Sequence, residues 1–236
     1  RGTGNPKQEK KFVDFAAKLG YEYTLIDAGW EKWDNKWETV HGIVEYADRK
    51  GVEVWVWKNW NQIKSQPARR QFFDNVKDIG VVGVKIDYMD SESQDVINFY
   101  TDALRDAARE HLMVNFHGAY KPTGTSRTFP NEMTREGIRG LEHNRQGSKL
   151  PPHHYAALPF TRCVAGAADF TPVAYNPERL GKTTVSLQLA SAVCFTSPGL
   201  HIGEYPARLL KRKKALDVVK NIPATWDETV VLDQSA

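Results

Sequence analysis

Cysteine is nearly absent: Cys163 and Cys194 are the only 2 in a chain of 236 residues. Two thiols cannot build a disulfide framework, and their spacing fits no zinc pattern. No stretch approaches the roughly 18 uninterrupted apolar residues that a membrane-spanning helix needs. The first residues lack the basic, then apolar, then small-residue order of a signal peptide. No charge of one sign dominates, since 32 Lys+Arg against 29 Asp+Glu leave a formal charge of +3. The basic residues are spread along the chain. Their densest run, Lys211-Arg212-Lys213-Lys214, reads as a solvated helix face, so nucleic acid is set aside as a partner. Disorder is excluded by 41% apolar against 26% charged residues, enough to bury one sizeable core.

What is present is a regular recurrence of short apolar runs, each ending in a polar residue. They end at Asp27, Lys58, Asp87, His117 and Glu142, at intervals of 31, 29, 30 and 25 residues, the length of a strand–helix unit. The runs are nearly continuous rather than alternating, as in a parallel sheet covered on both faces. Between them lie helical patterns over 6–19, 40–50, 67–79 and 93–110, the first three stopping at Gly20, Gly51 and Gly80. Further on, strands are expected at 160–165 and 199–203 and a helix at 182–192. About seven strands and an opening helix predict an α/β fold, a (β/α)₈ barrel without its first strand, cut from a longer protein. The barrel is expected over 1–225, with 226–236 opening another element.

In such a barrel, active sites collect at the C-terminal ends of the strands. The bland reading of each strand-end Asp, Asp27 and Asp90 included, is a cap that accepts backbone N–H groups. Asp87 has the stronger claim to chemistry, because it follows Lys85-Ile86 directly and is expected to face the barrel mouth. Two carboxylates with a Lys and a His nearby suit glycoside hydrolysis, in which one acid protonates the departing oxygen while the other attacks or activates water. Six of the 7 Trp fall in or beside the runs ending at Asp27 and Lys58. Trp55 and Trp57 share a strand face and read as structural. Trp30, Trp33 and Trp37 lie in a polar loop, where stacking on a sugar ring is weighed against packing. The polar stretch 131–144 sets Glu136 and Glu142 either side of a short expected strand. Several carboxylates there could bind Ca²⁺, which takes oxygen ligands, or could simply form a solvated acidic loop.

Three segments, Tyr23-Thr-Leu-Ile-Asp-Ala-Gly-Trp30, Gly83-Val-Lys-Ile-Asp-Tyr-Met-Asp90 and Thr134-Arg-Glu-Gly-Ile-Arg-Gly-Leu-Glu-His-Asn144, resemble glycoside hydrolase family 97. Trp226-Asp-Glu-Thr229 resembles that family's exit from the barrel into a C-terminal β domain. The resemblance implies an exo-acting α-glycosidase with one active-site Ca²⁺, flanking β domains outside this chain, and a periplasmic or secreted location. Inverting members, the α-glucosidases, carry base glutamates on strands three and five and lack an Asp on strand four. Counting the absent first strand, the fourth run here ends in Asp87, and Gly118 stands in the fifth where the inverting base would be. That is similar to the retaining branch, whose activity is α-galactosidase. The resemblance implies Asp87 as nucleophile, Glu142 as acid/base, and Glu136 and Glu142 as calcium ligands. Asp27, Trp30, Lys58, Lys85 and His117 are the candidate contacts to a terminal α-linked hexose. The stretch Leu200-His201-Ile202-Gly203-Glu204 departs from the family pattern at strand eight.

Other readings are an α-glucosidase on the same scaffold, a metal-dependent barrel isomerase or lyase with Lys58 or Lys85 as base, and a non-catalytic sugar-binding barrel. The isomerase or lyase would want a Gly-rich phosphate loop after the last strands, where only Ser197-Pro198-Gly199 and Gly203 stand. The sugar-binding barrel is disfavoured by the intact pair of carboxylates.

Overall fold

The first helix begins on a closed capping box. The Asn5 side chain accepts from the Gln8 amide, the Gln8 side chain accepts from the Asn5 amide, and Pro6 fills the first turn. Gly20, left-handed at φ 72, ends it. This is α1, Pro6–Leu19, in a computed structural model that describes residues 4–145 and 149–233. There follow β1 (Tyr23–Ile26), α2 (Lys36–Asp48), β2 (Glu53–Asn59), α3 (Gln66–Asp78), β3 (Gly83–Asp87), α4 (Gln94–Arg109), β4 (Met113–Phe116) and β5 (Glu132–Arg135). Shorter helices come after: α5 (Pro152–Ala157), α6 (Pro177–Leu180), α7 (Val185–Cys194), α8 (Pro206–Leu210) and α9 (Lys213–Lys220). The chain divides into two units, residues 1–120 with 125–133, and residues 121–124 with 134–236. Among the described residues no helix is long and apolar enough to cross a membrane.

The strands form one five-stranded sheet in the order β1-β2-β3-β4-β5, with β1 to β4 paired in parallel. The expected α/β succession is therefore met through β4, each strand returning over a helix as parallel pairing requires. The register sorts the side chains by face. Val54, Val56, Val84, Ile86, Val114 and Phe116 fall on the side that joins the helices in a single core. Trp55, Trp57, Lys85, Asp87 and Asn115 fall on the other, and every residue of β3 is buried. Gly83 lies beside Trp55 in the register, and a Cβ there would come within 2.3 Å of the indole, so the glycine is what lets the ring lie flat across β3.

Helices α3 and α4 are locked by a buried cluster of charges. Arg69 Nε donates to Asp106 Oδ2 at 2.8 Å, with Nη2 ion-paired to the same oxygen at 2.7 Å, and Arg70 Nε donates to Oδ1 at 3.0 Å. Both carboxylate oxygens are thus engaged, each by a different arginine.

The structure differs from the sequence expectation after β4. The strand expected at 138–141 lies earlier, at Glu132–Arg135, and Glu142 sits in a 3₁₀ turn, Leu141–Arg145. Gly137 at φ 42 breaks the extended run, and Gly140 lets the Phe170 carbonyl approach so that Leu141 N–H donates to it at 3.0 Å. The strand expected at 160–165 is instead two 3₁₀ turns, Leu158–Phe160 and Arg162–Ala165, with Pro159 in the first turn of the former, where a helix start tolerates it. No strand forms at 199–203; the second unit's sheet-like contact is an isolated parallel bridge between Arg135 and Ala168. Its core gathers Leu141, Leu150, Tyr155, Leu158, Phe170 and Phe195. Residues 226–233 carry no regular element, and the last residues of the 226–236 segment, 234–236, lie outside the described residues.

The Asp106 cluster yields a stability prediction. Asp106→Ala leaves Arg69, 2% exposed, with only the Lys64 carbonyl and the more distant Asp102 carboxylate at 4.0 Å, and the loss expected is about 3 kcal/mol in a urea titration of the full-length protein. A change under about 1 kcal/mol would show the cluster to be energetically idle.

Candidate active site

Asp87 closes β3 and is 7% exposed. Both its oxygens accept hydrogen bonds: Oδ2 from the Trp57 indole N–H at 2.8 Å, and Oδ1 from the Tyr88 amide at 2.7 Å. The loop that follows is tightly turned, with Tyr88 at φ 68 and Asp90 at φ 40. Such values are costly for residues with side chains and cluster where function requires them. Gly118 abuts this loop from the end of β4. It adopts φ 57, its carbonyl accepts from the Asp90 amide at 2.7 Å, and a Cβ on it would stand 2.8 Å from Tyr88 N and 3.0 Å from Asp87 Oδ1. A side chain at 118 is thus excluded while Asp87 occupies its position.

Lys85, two residues before Asp87, and Asn115, beside Lys85 in the register, share its face and are buried. His117 follows β4, also buried, and its amide donates to the Ile86 carbonyl at 2.8 Å. Asp27 directly follows β1, and its Oδ1 accepts from the Ala28 amide at 2.8 Å, the capping arrangement weighed above. Four of the sequence candidates, Asp27, Lys85, Asp87 and His117, therefore stand at or within the last turn of the strand ends.

Two further candidates, Lys58 and Trp30, are placed on the other face of the sheet from Asp87. Lys58 lies on the helix side of β2, between Val56 and the strand's end at Asn59, and Asn59 rather than Lys58 pairs with Asp87. Its ammonium is paired with Glu31 and stands 4.7 Å from the centre of the Phe72 ring. Trp30 is 1% exposed within the helix-side core, with its N–H donating to the Trp57 carbonyl at 2.8 Å. It has no open face for a sugar. Trp37 packs edge-on against it at 5.4 Å, and Trp33 lies against the same core, so the aromatic loop folds inward.

In the second unit, Glu142 is partly exposed, 3.6 Å from Arg145 Nη1. The loop carrying Glu136 and Glu142 is held by Arg162, whose guanidinium donates to the carbonyls of Arg135, Glu136, Gly137, Gly166 and Ala167 at 2.8–3.1 Å. Burial pushes the Arg162 pKa below its ordinary value, Arg135 adds to that, and Cys163 opposes it. Burial likewise lowers the pKa of His143, the neighbour of Glu142, with Arg139 reinforcing and Glu142 opposing. Among the described residues no group of three or more His, Cys, Asp or Glu side chains gathers closely enough to hold a metal ion. Glu136 and Glu142 are oxygen donors of the type Ca²⁺ takes, but two carboxylates fall short of its roughly six to eight ligands.

Trp57, Asn115 and Arg162 were not among the sequence candidates. Asn115 had a signal, a lone polar residue inside an apolar strand. Trp57 had only its parity with Lys85, which needs the register, and Arg162 had none, since its partners are backbone.

A parallel α/β sheet with a buried, doubly hydrogen-bonded carboxylate at a strand's C-terminal end defines an enzyme-type site. The family profile for glycoside hydrolase 97 matches residues 1–138, and the chain belongs to that family. It is 37% identical over 235 residues to a probable retaining alpha-galactosidase of Streptomyces bingchenggensis, covering 95% of this chain and 36% of that protein. It is 31% identical over 256 residues to a retaining alpha-galactosidase of Bacteroides thetaiotaomicron, covering 98% of this chain and 38% of that protein. A family 97 enzyme from Pseudoalteromonas sp. strain K8, solved in complex with acarbose, superposes with a TM-score of 0.85 at 26% identity, over 98% of this chain and 42% of that one. The chain thus spans well under half the length of these relatives.

Gly118→Ala should cost about 1–2 kcal/mol from its left-handed backbone alone, and should push Asp87 or Tyr88 aside. Thermal melting and turnover of the full-length protein are expected to fall together. Wild-type values for both would show that the loop has room the structure denies.

Proposed function

We propose that the full-length protein is a retaining exo-acting α-galactosidase that releases terminal α-linked galactose from an oligosaccharide on a (β/α)₈ barrel. The observation that carries this reading is the Asp87 carboxylate, oriented on both oxygens and closed off from any side chain at 118. The family resemblance puts the inverting members' base at position 118, where this chain has a glycine whose Cβ would stand 2.8 Å from Tyr88 N. The α-glucosidase alternative is weaker for this reason, and the names of both curated relatives agree in sense.

In this mechanism an Asp87 oxygen bonds to the anomeric carbon as the glycosidic C–O bond breaks, and the departing oxygen takes the proton of Glu142. Water then attacks the same carbon from the face the leaving group vacated and gives its proton to Glu142. The ester bond breaks and its electron pair returns to Asp87, so two inversions give net retention. Lys85 and His117 are the sugar-contacting groups of this reading, with Asp27 at the rim. Calcium enters through the family resemblance, with Glu136 and Glu142 offering carboxylate oxygens beside ligands from outside this chain, and no step above passes through it. Chelation of the full-length enzyme is expected to abolish turnover and added Ca²⁺ to restore it; undiminished activity after chelation would remove the metal.

The nucleophile is tested by Asp87→Gly in the full-length enzyme. Hydrolysis of an unactivated α-galactoside should fall by several orders of magnitude, because a covalent step is lost. Azide should enter the vacated space and attack from the face Asp87 occupied, giving β-galactosyl azide. Recovery of the α-azide, or near wild-type hydrolysis, would overturn the retaining mechanism.

A further inference from the structure

We infer that Trp57 is a positioning residue: its indole N–H fixes the orientation of Asp87 and favours the free carboxylate over the glycosyl ester. The inference rests on the reading of Asp87 as nucleophile and deepens it.

The geometry is over-determined on the tryptophan side. Trp57 sits inside β2, 6% exposed, and its N–H reaches Asp87 Oδ2 on the adjacent strand at 2.8 Å. Its own carbonyl accepts from the Trp30 indole at 2.8 Å, and its ring meets Tyr88 edge-on at 5.9 Å. Backbone and ring are therefore both held. With Tyr88 N–H on Oδ1, each carboxylate oxygen has one fixed donor, which leaves the carboxylate plane no freedom about its last torsion.

The chemistry gives this donor a direction. An indole N–H only donates and carries no charge in the working pH range. Its bond to an anionic oxygen is stronger than its bond to an ester oxygen. Ester formation in the first step weakens it, and release of the carboxylate in the second step restores it. The Trp57 bond thus assists deglycosylation, where the electron pair returns to Asp87.

The test uses two variants of the full-length enzyme, Trp57→Phe and benzothienylalanine incorporated at position 57, which replaces the N–H by sulfur in a ring of nearly the same shape. In both, kcat should fall about tenfold or more. KM should fall with kcat, and an activated aryl α-galactoside should give a pre-steady-state burst as deglycosylation becomes limiting. Wild-type kcat and KM in the benzothienylalanine enzyme would overturn the inference, even where Trp57→Phe loses activity or fails to fold, because ring packing and not the N–H would then be what matters. If Asp87→Gly is inactive and rescued by azide while the benzothienylalanine enzyme is normal, this inference alone fails. If Asp87→Gly keeps its activity, the nucleophile reading fails and takes this one with it.

Discussion

The pairing of β2 with β3 is the constraint on which the site depends. With Trp57 beside Lys85 and Asn59 beside Asp87, one face of the two strands carries indole, ammonium and carboxylate, and the other carries Val56 and Ile86 into the helical core. Side chains alternate with a period of two, so a slip of one residue would send Asp87 into the apolar core and Ile86 to the site. The cost of burying a carboxylate without its donors specifies the register as firmly as the apolar side does. Gly83 adds a steric pin, since its missing Cβ is what accommodates Trp55 across the strand pair.

Tryptophan serves this unit in two ways that composition alone does not separate. Trp30 closes the helix-side core with its ring and uses its N–H to hold the β2 backbone at Trp57. Trp57 turns its ring the other way and uses its N–H on Asp87. The two indoles form a relay from the core, through one carbonyl, to the carboxylate. A large ring with one fixed donor suits this use: burial supplies the stability, and the N–H supplies direction.

The first four strand–helix repeats were legible in the sequence because they obey local rules. Apolar runs of strand length, capping signals such as Asn5 and Gly20, and a spacing near 30 residues all agree with one another. Asp87 was legible for the same reason, standing at the end of an apolar run in a βα unit. Legibility failed where a side chain's face mattered: Lys58 ends an apparent run, but β2 continues to Asn59, which puts Lys58 on the helix side with Glu31 and Phe72. The inward fold of Trp30, Trp33 and Trp37 was hidden because their loop is polar in sequence while their rings meet a core assembled from distant residues. After β4 the local rules weaken, as glycines and Pro159 interrupt each apolar run and short 3₁₀ turns replace strands.

The second unit holds its candidate loop by a different physical means. Around Asp87 the donors are two N–H groups aimed at one carboxylate, a charge-specific arrangement. Around Glu136 and Glu142 the donor is a single cation, Arg162, spread over five backbone carbonyls. That clamp is made on backbone carbonyls, and Arg145 Nη1 stands 3.6 Å from the Glu142 carboxylate. A planar guanidinium can do this because its N–H groups radiate in one plane toward a curved backbone, whereas an ammonium offers three donors from a single point. The two modes differ in what they fix: two N–H groups orient a carboxylate directly, whereas the guanidinium fixes the backbone from which the side chains at 136 and 142 project.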